Sequence, residues 1–259
     1  IMAKKSVQMR GRNFQKKVKQ IVREELQEEL EEKVAVIGAT DIAIQTPAIP
    51  NGNVLGSSNF IQIFPSIDQG LGQYNQRVGN EIRLKSIDIK MLLHYKSVGV
   101  SQFENSSIGV RVMILRQKDQ GSVAGLLEDF QGNKLLENGA VISPGPGQFF
   151  GNTFNLLQKI NRDQFSVRYD KVFYLDNPFK RNDTGSQLVY ASPPRPKVMN
   201  HKLTFGKMGL KLNYGSAAST NPVNFPYVMV VGYTSTVAAF LPDNGIIAYS
   251  YSANASYTD

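Results

Sequence analysis

Residues 81–95, EIRLKSIDIKMLLHY, decide the fold class of this chain. Apolar side chains alternate with polar ones along the stretch, and the apolar positions are Ile82, Leu84, Ile87, Ile89, Met91 and Leu93. A period of two places successive side chains on opposite faces of a strand. The alternation changes phase at Lys85–Ser86, where one extra residue in a β-bulge accounts for the change. The stretch therefore predicts one long, half-buried strand with a bulge.

Shorter stretches of the same kind lie on both sides of this strand. They are 60–64, 108–117, 166–175, 208–214, 227–234, and a hairpin of 237–241 and 246–251 around the turn Pro242-Asp243-Asn244-Gly245. Leucine and phenylalanine in 123–138 and 149–160 predict short helices, whereas 143–148 and 192–196 have loop composition. About eight strands with long connections predict an all-β fold, an eight-stranded single jelly roll of two four-stranded antiparallel sheets.

The N-terminal segment has a different character. From Asn13 to Lys33 there is no proline or glycine, and apolar residues recur at three- and four-residue spacing, which predicts an amphipathic α-helix. The sequence thus divides into a helical N-terminal arm, residues 1–36, and a jelly-roll shell domain, residues 37–259.

Charge is distributed unevenly along this arm. Eight cations occur between residues 4 and 23 with no acid among them: Lys4, Lys5, Arg10, Arg12, Lys16, Lys17, Lys19 and Arg23. Glutamates dominate residues 24–32. A helix dipole favours the opposite order, so partners outside the helix must favour each half. Concentrated cations are typical of a segment that binds a polyanion, and we predict that these eight bind nucleic acid.

The composition disfavours most other functions. The chain has no cysteine, so disulfides and thiolate chemistry are excluded, and its two histidines, His94 and His201, are too few and too far apart in sequence for a cupin-type metal site. No run approaches the ~18 apolar residues of a membrane span, so no membrane partner is expected. We identify no catalytic residue, predict no enzymatic activity, and expect no required cofactor.

Several short blocks resemble known coat proteins. Residues 74–83, YNQRVGNEIR, and 162–171, RDQFSVRYDK, resemble the coat-protein family of satellite tobacco necrosis virus, and the second pattern is also common in capsids of circular single-stranded DNA viruses. KSVQMR at 5–10, LNYG at 212–215 and the terminal YTD at 257–259 follow in the same order. The chain departs from the resemblance in a longer N-terminal helix and in longer loops after residues 95 and 175.

The resemblance implies an icosahedral capsid subunit that self-assembles, in the smallest shell as about 60 copies. It also implies that the arm faces a packaged single-stranded genome. We favour DNA over RNA and expect the protein in the virion after synthesis in the host cytoplasm, with the nucleus as an alternative. The competing interpretation is a non-capsid accessory protein that binds single-stranded nucleic acid with the same arm.

The resemblance further implies calcium ions at subunit interfaces. Its ligands would be Asp259, the backbone oxygen of Val78, Glu81 and an arm acid, for which the matching position is Gln27 with Glu28 beside it. The alternative is that the arm glutamates form a solvated or salt-bridged face.

A last expectation concerns bases on the predicted strands. Some of them should line an inner wall and contact phosphates, or else they balance nearby acids on other surfaces. These residues are Arg83, Lys85, Lys90, Arg111, Arg116, Arg168 and Lys171.

Overall fold

The computed structural model describes residues 14–18, 32–96, 107–137, 147–176, 179–181, 188–190, 195–236 and 242–259. Within these ranges the strands are β1 (Lys33–Ala43), β2 (Phe60–Ile61), β3 (Glu81–Tyr95), β4 (Ser107–Gln117), β5 (Phe165–Asp176), β6 (Phe179–Arg181), β7 (Leu188–Tyr190), β8 (Lys197–Thr204), β9 (Leu210–Asn213), β10 (Val228–Ser235) and β11 (Ile247–Thr258). Helix α1 (Val123–Glu128) and 3-10 turns at Gly132–Lys134 and Thr153–Leu156 lie in the predicted helical connections. No helix in the described ranges is long and apolar enough to span a membrane.

The strands form the two antiparallel sheets of a jelly roll, as the sequence predicts. The first sheet has the order β1-β11-β3-β8, with β9 also paired to β3, and we call it the open sheet. The second has the order β2-β10-β4-β5, and we call it the covered sheet. Strands consecutive in sequence repeatedly alternate between the sheets, which is the connectivity of two Greek keys. A separate pair, β6 and β7, forms a small ribbon.

Two hydrophobic cores form among the described residues. The larger lies between the sheets and includes Ile87, Ile89 and Met91 of β3 together with Tyr233 of β10. The smaller lies on the other face of the covered sheet, where connection residues such as Phe130 pack on Met113, Leu115, Val228 and Val230. Burial on both faces explains why β4 and β10 read as continuous apolar runs. The open sheet has no such cover within the described residues, so its outer face is left accessible.

The predicted bulge in β3 is confirmed. Ser86 pairs with Ser256 and Leu84 with Tyr257, so Lys85 is the extra residue in the ladder. Leu84 and Ile87 are consequently both buried.

Three sequence predictions differ from the structure. Strand β1 begins at Lys33, so residues 33–36 belong to the open sheet rather than to the arm helix. Strand β8 follows the predicted loop 192–196, where no strand was expected. The first strand of the predicted hairpin, 237–241, lies outside the described residues. Its second strand, 246–251, belongs to β11, whose two edges pair with β1 and β3 instead.

Candidate nucleic-acid interface

The predicted arm cations lie mostly outside the described residues. Lys16 and Lys17 belong to a helical stretch, residues 14–18, and both are exposed. Phe14 and Val18 in the same stretch are 69% and 40% exposed, so the described part of the apolar stripe is uncovered within this chain. The other six cations, Lys4, Lys5, Arg10, Arg12, Lys19 and Arg23, and the acid Glu28 fall outside the described ranges.

The arm joins the shell at one corner of the open sheet. β1 is an edge strand, and its first residue, Lys33, pairs with Tyr257 near the C-terminus. The Lys33 ammonium lies 2.5 Å from Asp259 Oδ2 and donates to the carbonyl of Gln76 at 2.9 Å. The backbone N–H of Val78 donates to the same carboxylate at 3.2 Å. These bonds hold Lys33, the first residue of β1, at this corner.

This corner also brings together the three described residues of the predicted calcium site. Each already has a protein partner: Asp259 has Lys33, the Val78 carbonyl accepts from Gln69 Nε2 at 2.7 Å, and Glu81 lies 2.7 Å from Lys211 Nζ. In one subunit this is not the cage of free oxygens that a hard cation requires. No group of three metal-ligating side chains occurs within the described ranges. The calcium site stays a prediction, since Glu28 lies outside them.

The strand-borne bases divide between the two sheets. In the covered sheet, Arg111 is 2% exposed; its guanidinium donates to Asp170 at 2.8 and 2.7 Å and to the Asn155 carbonyl at 2.6 Å. Arg111 therefore contributes to the second core and is not a phosphate ligand. Arg168 lies over the Tyr227 ring, 5.4 Å from its centroid, and Lys171 lies 5.2 Å from that of Phe173.

The bases of the open sheet lie in a different environment. Arg83 and Lys90 of β3 are exposed, and so are Lys202 of β8 and Lys211 of β9. Register places Lys202 opposite Asp88 and Lys211 opposite Arg83, so these side chains share the outer face. Sequence reasoning missed Lys202 and Lys211. The alternation of Met199 and Leu203 with polar residues in 197–204 was the signal that could have identified β8.

A buried arginine organises the loops at the same end of the sandwich. Arg77 is fully buried and its guanidinium lies 4.1 Å from the centroid of the Tyr214 ring. Nη1 donates to the carbonyl of Gly79, to Asn80 Oδ1 at 3.0 Å and to Gln69 Oε1 at 3.4 Å. Nη2 donates to three carbonyls of the facing loop, those of Ser216, Ala217 and Ser219, at 2.9, 3.2 and 2.8 Å. One side chain thus joins 69–80, next to the arm exit, to 214–219.

The two histidines have separate structural contacts. His94 Nε2 lies 3.1 Å from Asp41 Oδ1, and Lys96 Nζ lies 3.0 Å from Asp41 Oδ2. The hydrogen bonds from Lys96 and His94 lower the pKa of Asp41. His201 packs against the Tyr169 ring at 4.6 Å, and burial lowers its pKa. Neither contact includes a nucleophile with an adjacent base.

The sequence matches no protein-family model and no curated protein. Among solved structures, it is similar to Merkel cell polyomavirus VP1 in complex with GD1a oligosaccharide, at 9% identity and a TM-score of 0.24 over 88% of this chain and 95% of that chain. The unassembled VP1 pentamer of that virus is similar at 10% identity and a TM-score of 0.23, over 88% of this chain and 95% of that chain. VP1 of Trichodysplasia spinulosa-associated polyomavirus in complex with 6'-sialyllactose is similar at 10% identity and a TM-score of 0.23, over 87% of this chain and 94% of that chain. At such TM-scores the likeness carries no argument, and the jelly-roll assignment rests on the strand order of the chain itself.

Proposed function

We propose that this chain is a structural capsid subunit that self-assembles into a small icosahedral shell and packages single-stranded nucleic acid through its basic N-terminal arm. The observation that carries the proposal is the acid-free cluster of eight cations at residues 4–23, joined through Lys33 to one corner of a jelly roll. The sequence blocks that resemble satellite-virus and circular single-stranded DNA virus capsids support the same function.

The chemistry of the arm suits packaging rather than sequence recognition. Each lysine or arginine that meets a phosphate releases condensed counterions, a gain in free energy that is independent of the bases. About 60 copies in the smallest shell would bring about 480 arm cations together, enough to neutralise several hundred nucleotides. The glutamates of residues 24–32 repel phosphates, which within the arm would limit genome binding to the residues before them.

The shell domain supplies a rigid body for assembly. Two cores hold the covered sheet on both faces, and the Arg77 contacts fasten the loops at the end where the arm leaves. A loop on the covered side, residues 150–157, exposes Phe150, Phe154 and Leu157. Apolar side chains on a fixed loop are typical of surfaces that pack against other molecules, here further copies of the subunit.

The test is expression of the full chain beside a variant in which all eight arm cations are replaced by glutamine. Negative-stain microscopy reports closed particles, and the ratio of nucleic-acid to protein absorbance reports their load. We expect loaded particles for the parent chain and empty particles, or none, for the variant. Nuclease digestion and sequencing of the contents then separate DNA, which we favour, from RNA.

Two results would contradict the proposal in different ways. A normal nucleic-acid load in variant particles would show that the arm does not package the genome. A parent chain that binds nucleic acid but never closes a shell would favour the accessory-protein function.

A further inference from the structure

The outer face of the open sheet differs from that of the covered sheet in having no apolar cover among the described residues. Along its second strand, β11, the residues on this face are small and polar: Ser250, Ser252, Asn254 and Ser256. They are partly exposed, whereas the alternate positions Ala253, Ala255 and Tyr257 are buried in the core. Along β11 the face therefore presents hydroxyl and amide groups that can form hydrogen bonds. Exposed Val36 of β1, Leu92 of β3 and Val198 of β8 lie beside them.

Cations lie beside this polar strand. On β3, Lys90 is paired with Ser252 on one side and Asn200 on the other. On β8, Lys202 lies opposite Asp88, which in turn lies opposite Asn254. Lys90 and Lys202 are exposed, and neither forms a salt bridge with another described residue. Lys202 and Lys90 lie on adjacent strands and are offset by two residues, which separates their backbone positions by about 8 Å. Each cation can therefore contact a different phosphate of an extended polyanion.

The charges continue toward the arm. Arg83 and Lys211 form a cross-strand pair at the start of β3, one residue beyond the row of Lys33, Tyr257 and Leu84. Glu81 offsets only Lys211 here, through their 2.7 Å contact. Asp41, at the other end of this face, is likewise paired with Lys96 and His94. Among the described residues of the face, Arg83, Lys90 and Lys202 therefore outnumber Asp88, the acid that forms no salt bridge with another described residue. The row of cations begins at the same corner as Lys33, the first strand residue after the arm.

From this arrangement we propose that the outer face of strands β3, β8 and β11 is a second binding surface for the phosphodiester backbone of single-stranded nucleic acid. Lys90, Lys202 and Arg83 contact phosphates, and the serine and asparagine side chains of β11 donate hydrogen bonds to phosphate or sugar oxygens. Such contacts position a strand without reading its bases. The inference rests on the proposed packaging function and names a surface apart from the arm.

The experiment compares three full-length proteins under conditions in which the subunit is unassembled, as verified by sedimentation. They are the parent chain, the face variant Lys90→Gln/Lys202→Gln, and the control variant Lys118→Gln/Lys159→Gln. The control removes the same charge from exposed positions on the connections at the other side of the molecule. Fluorescence anisotropy measures binding to dT30 and to rU30 while salt is varied between about 50 and 200 mM.

The slope of log affinity against log salt is negative, and loss of two phosphate contacts reduces its magnitude by about 1.4 for a single strand. We expect that change in the face variant and none in the control variant. Asp88→Asn removes the acid between the two lysines and should tighten binding. Equal effects with dT30 and rU30 are expected for backbone recognition, and a change with one probe alone would identify that polymer as the ligand. Circular dichroism and melting confirm that each variant is folded.

A further variant, Lys16→Gln/Lys17→Gln, separates this inference from the proposed function. If the arm variant lowers the slope and the face variant does not, the second surface is refuted and the packaging arm stands. If neither variant changes binding, both are refuted. If the face variant binds normally but alters sedimentation of assembled particles, the face is a contact between copies, and the nucleic-acid surface is likewise refuted.

Discussion

Replacement of Arg77 by lysine tests how the shell domain holds its loops at the arm exit. The guanidinium uses Nη1 for the loop of residues 69–80 and Nη2 for the loop of residues 214–219, and it stacks on Tyr214. A lysine ammonium retains the charge but places its donors at a single point, so it cannot serve both loops. Arg77→Lys therefore tests the hydrogen-bonding geometry of the planar guanidinium while keeping the positive charge.

The magnitude follows from the bonds that are lost. At least two charge-assisted hydrogen bonds to one loop disappear, each worth about 1.5–3 kcal/mol. Two such bonds amount to about 3–6 kcal/mol. That range agrees with the roughly 3–5 kcal/mol that loss of a partner of a buried charge costs, so we expect the free energy of unfolding to fall by about 3–5 kcal/mol. Arg77→Met leaves the same carbonyls without donors but buries no charge, and it should be no more destabilising than Arg77→Lys.

Urea unfolding of the unassembled subunit measures this effect. Tyrosine fluorescence is the probe, because the chain has no tryptophan. Equal slopes against urea for parent and variant would show that the denatured states are comparable. The matched control is Arg162→Lys, at an exposed arginine, which should change stability by less than about 0.5 kcal/mol. A loss for Arg77→Lys as small as that of the control would refute the assigned role of the fork.

Four further outcomes are expected. Hydrogen bonds from Lys96 and His94 lower the pKa of Asp41, so the ionised Asp41 stabilises the fold above its unfolded pKa, and this stabilisation is lost as the pH falls through its folded pKa. Asp41→Asn should therefore reduce the drop in melting temperature below about pH 4, and an unchanged drop would contradict this. Burial raises the pKa of Tyr249 to about 12, so the contribution of this neutral phenol to folding stability is present below about pH 10 and is lost toward pH 12. Tyr249→Phe should therefore lessen alkaline unfolding, which tyrosinate absorbance follows. Equal unfolding of both proteins would count against this. Asn155 is 2% exposed and its Oδ1 accepts from two backbone N–H groups, so Asn155→Ala should cost about 2–3 kcal/mol in urea unfolding, and a loss below about 1 kcal/mol would be inconsistent with that role. EGTA should leave the melting temperature of the isolated subunit unchanged because Lys33 occupies the Asp259 carboxylate, whereas a decrease seen only in particles and abolished by Asp259→Asn would establish calcium between subunits.

Local periodicity in the amino-acid sequence predicts several parts of the fold correctly. The bounds of β3 agree with the alternation of residues 81–95, and the phase change at Lys85 located the bulge. The turn before β11 was likewise visible, since its Asn244-Gly245 step supplies the positive φ of 74° at Gly245 that such a turn requires. The strand, its bulge and the turn depend only on residues close together in sequence and on which side chains share one buried face. A short stretch of sequence contains all of this information.

Only the tertiary structure decided which strands pair. The stretch 237–241 and β11 are adjacent in sequence, but β11 has partners far along the chain on both sides, β1 and β3. Residues 33–36 are assigned to the arm from sequence, yet they complete the ladder with 254–257. Long-range pairing and burial outweigh a local propensity that is worth only a fraction of a kcal/mol per residue.

The same limit applies to the candidate site. The cations of the arm were recognisable from sequence alone because eight of them occur together without an acid. The strand-borne bases were not distinguishable in this way: Arg111 is buried and ion-paired with Asp170, whereas Lys90 and Lys202 share an accessible face. Whether a charge meets solvent or a buried partner depends on which segments cover its sheet, and that is a property of packing between distant parts of the chain.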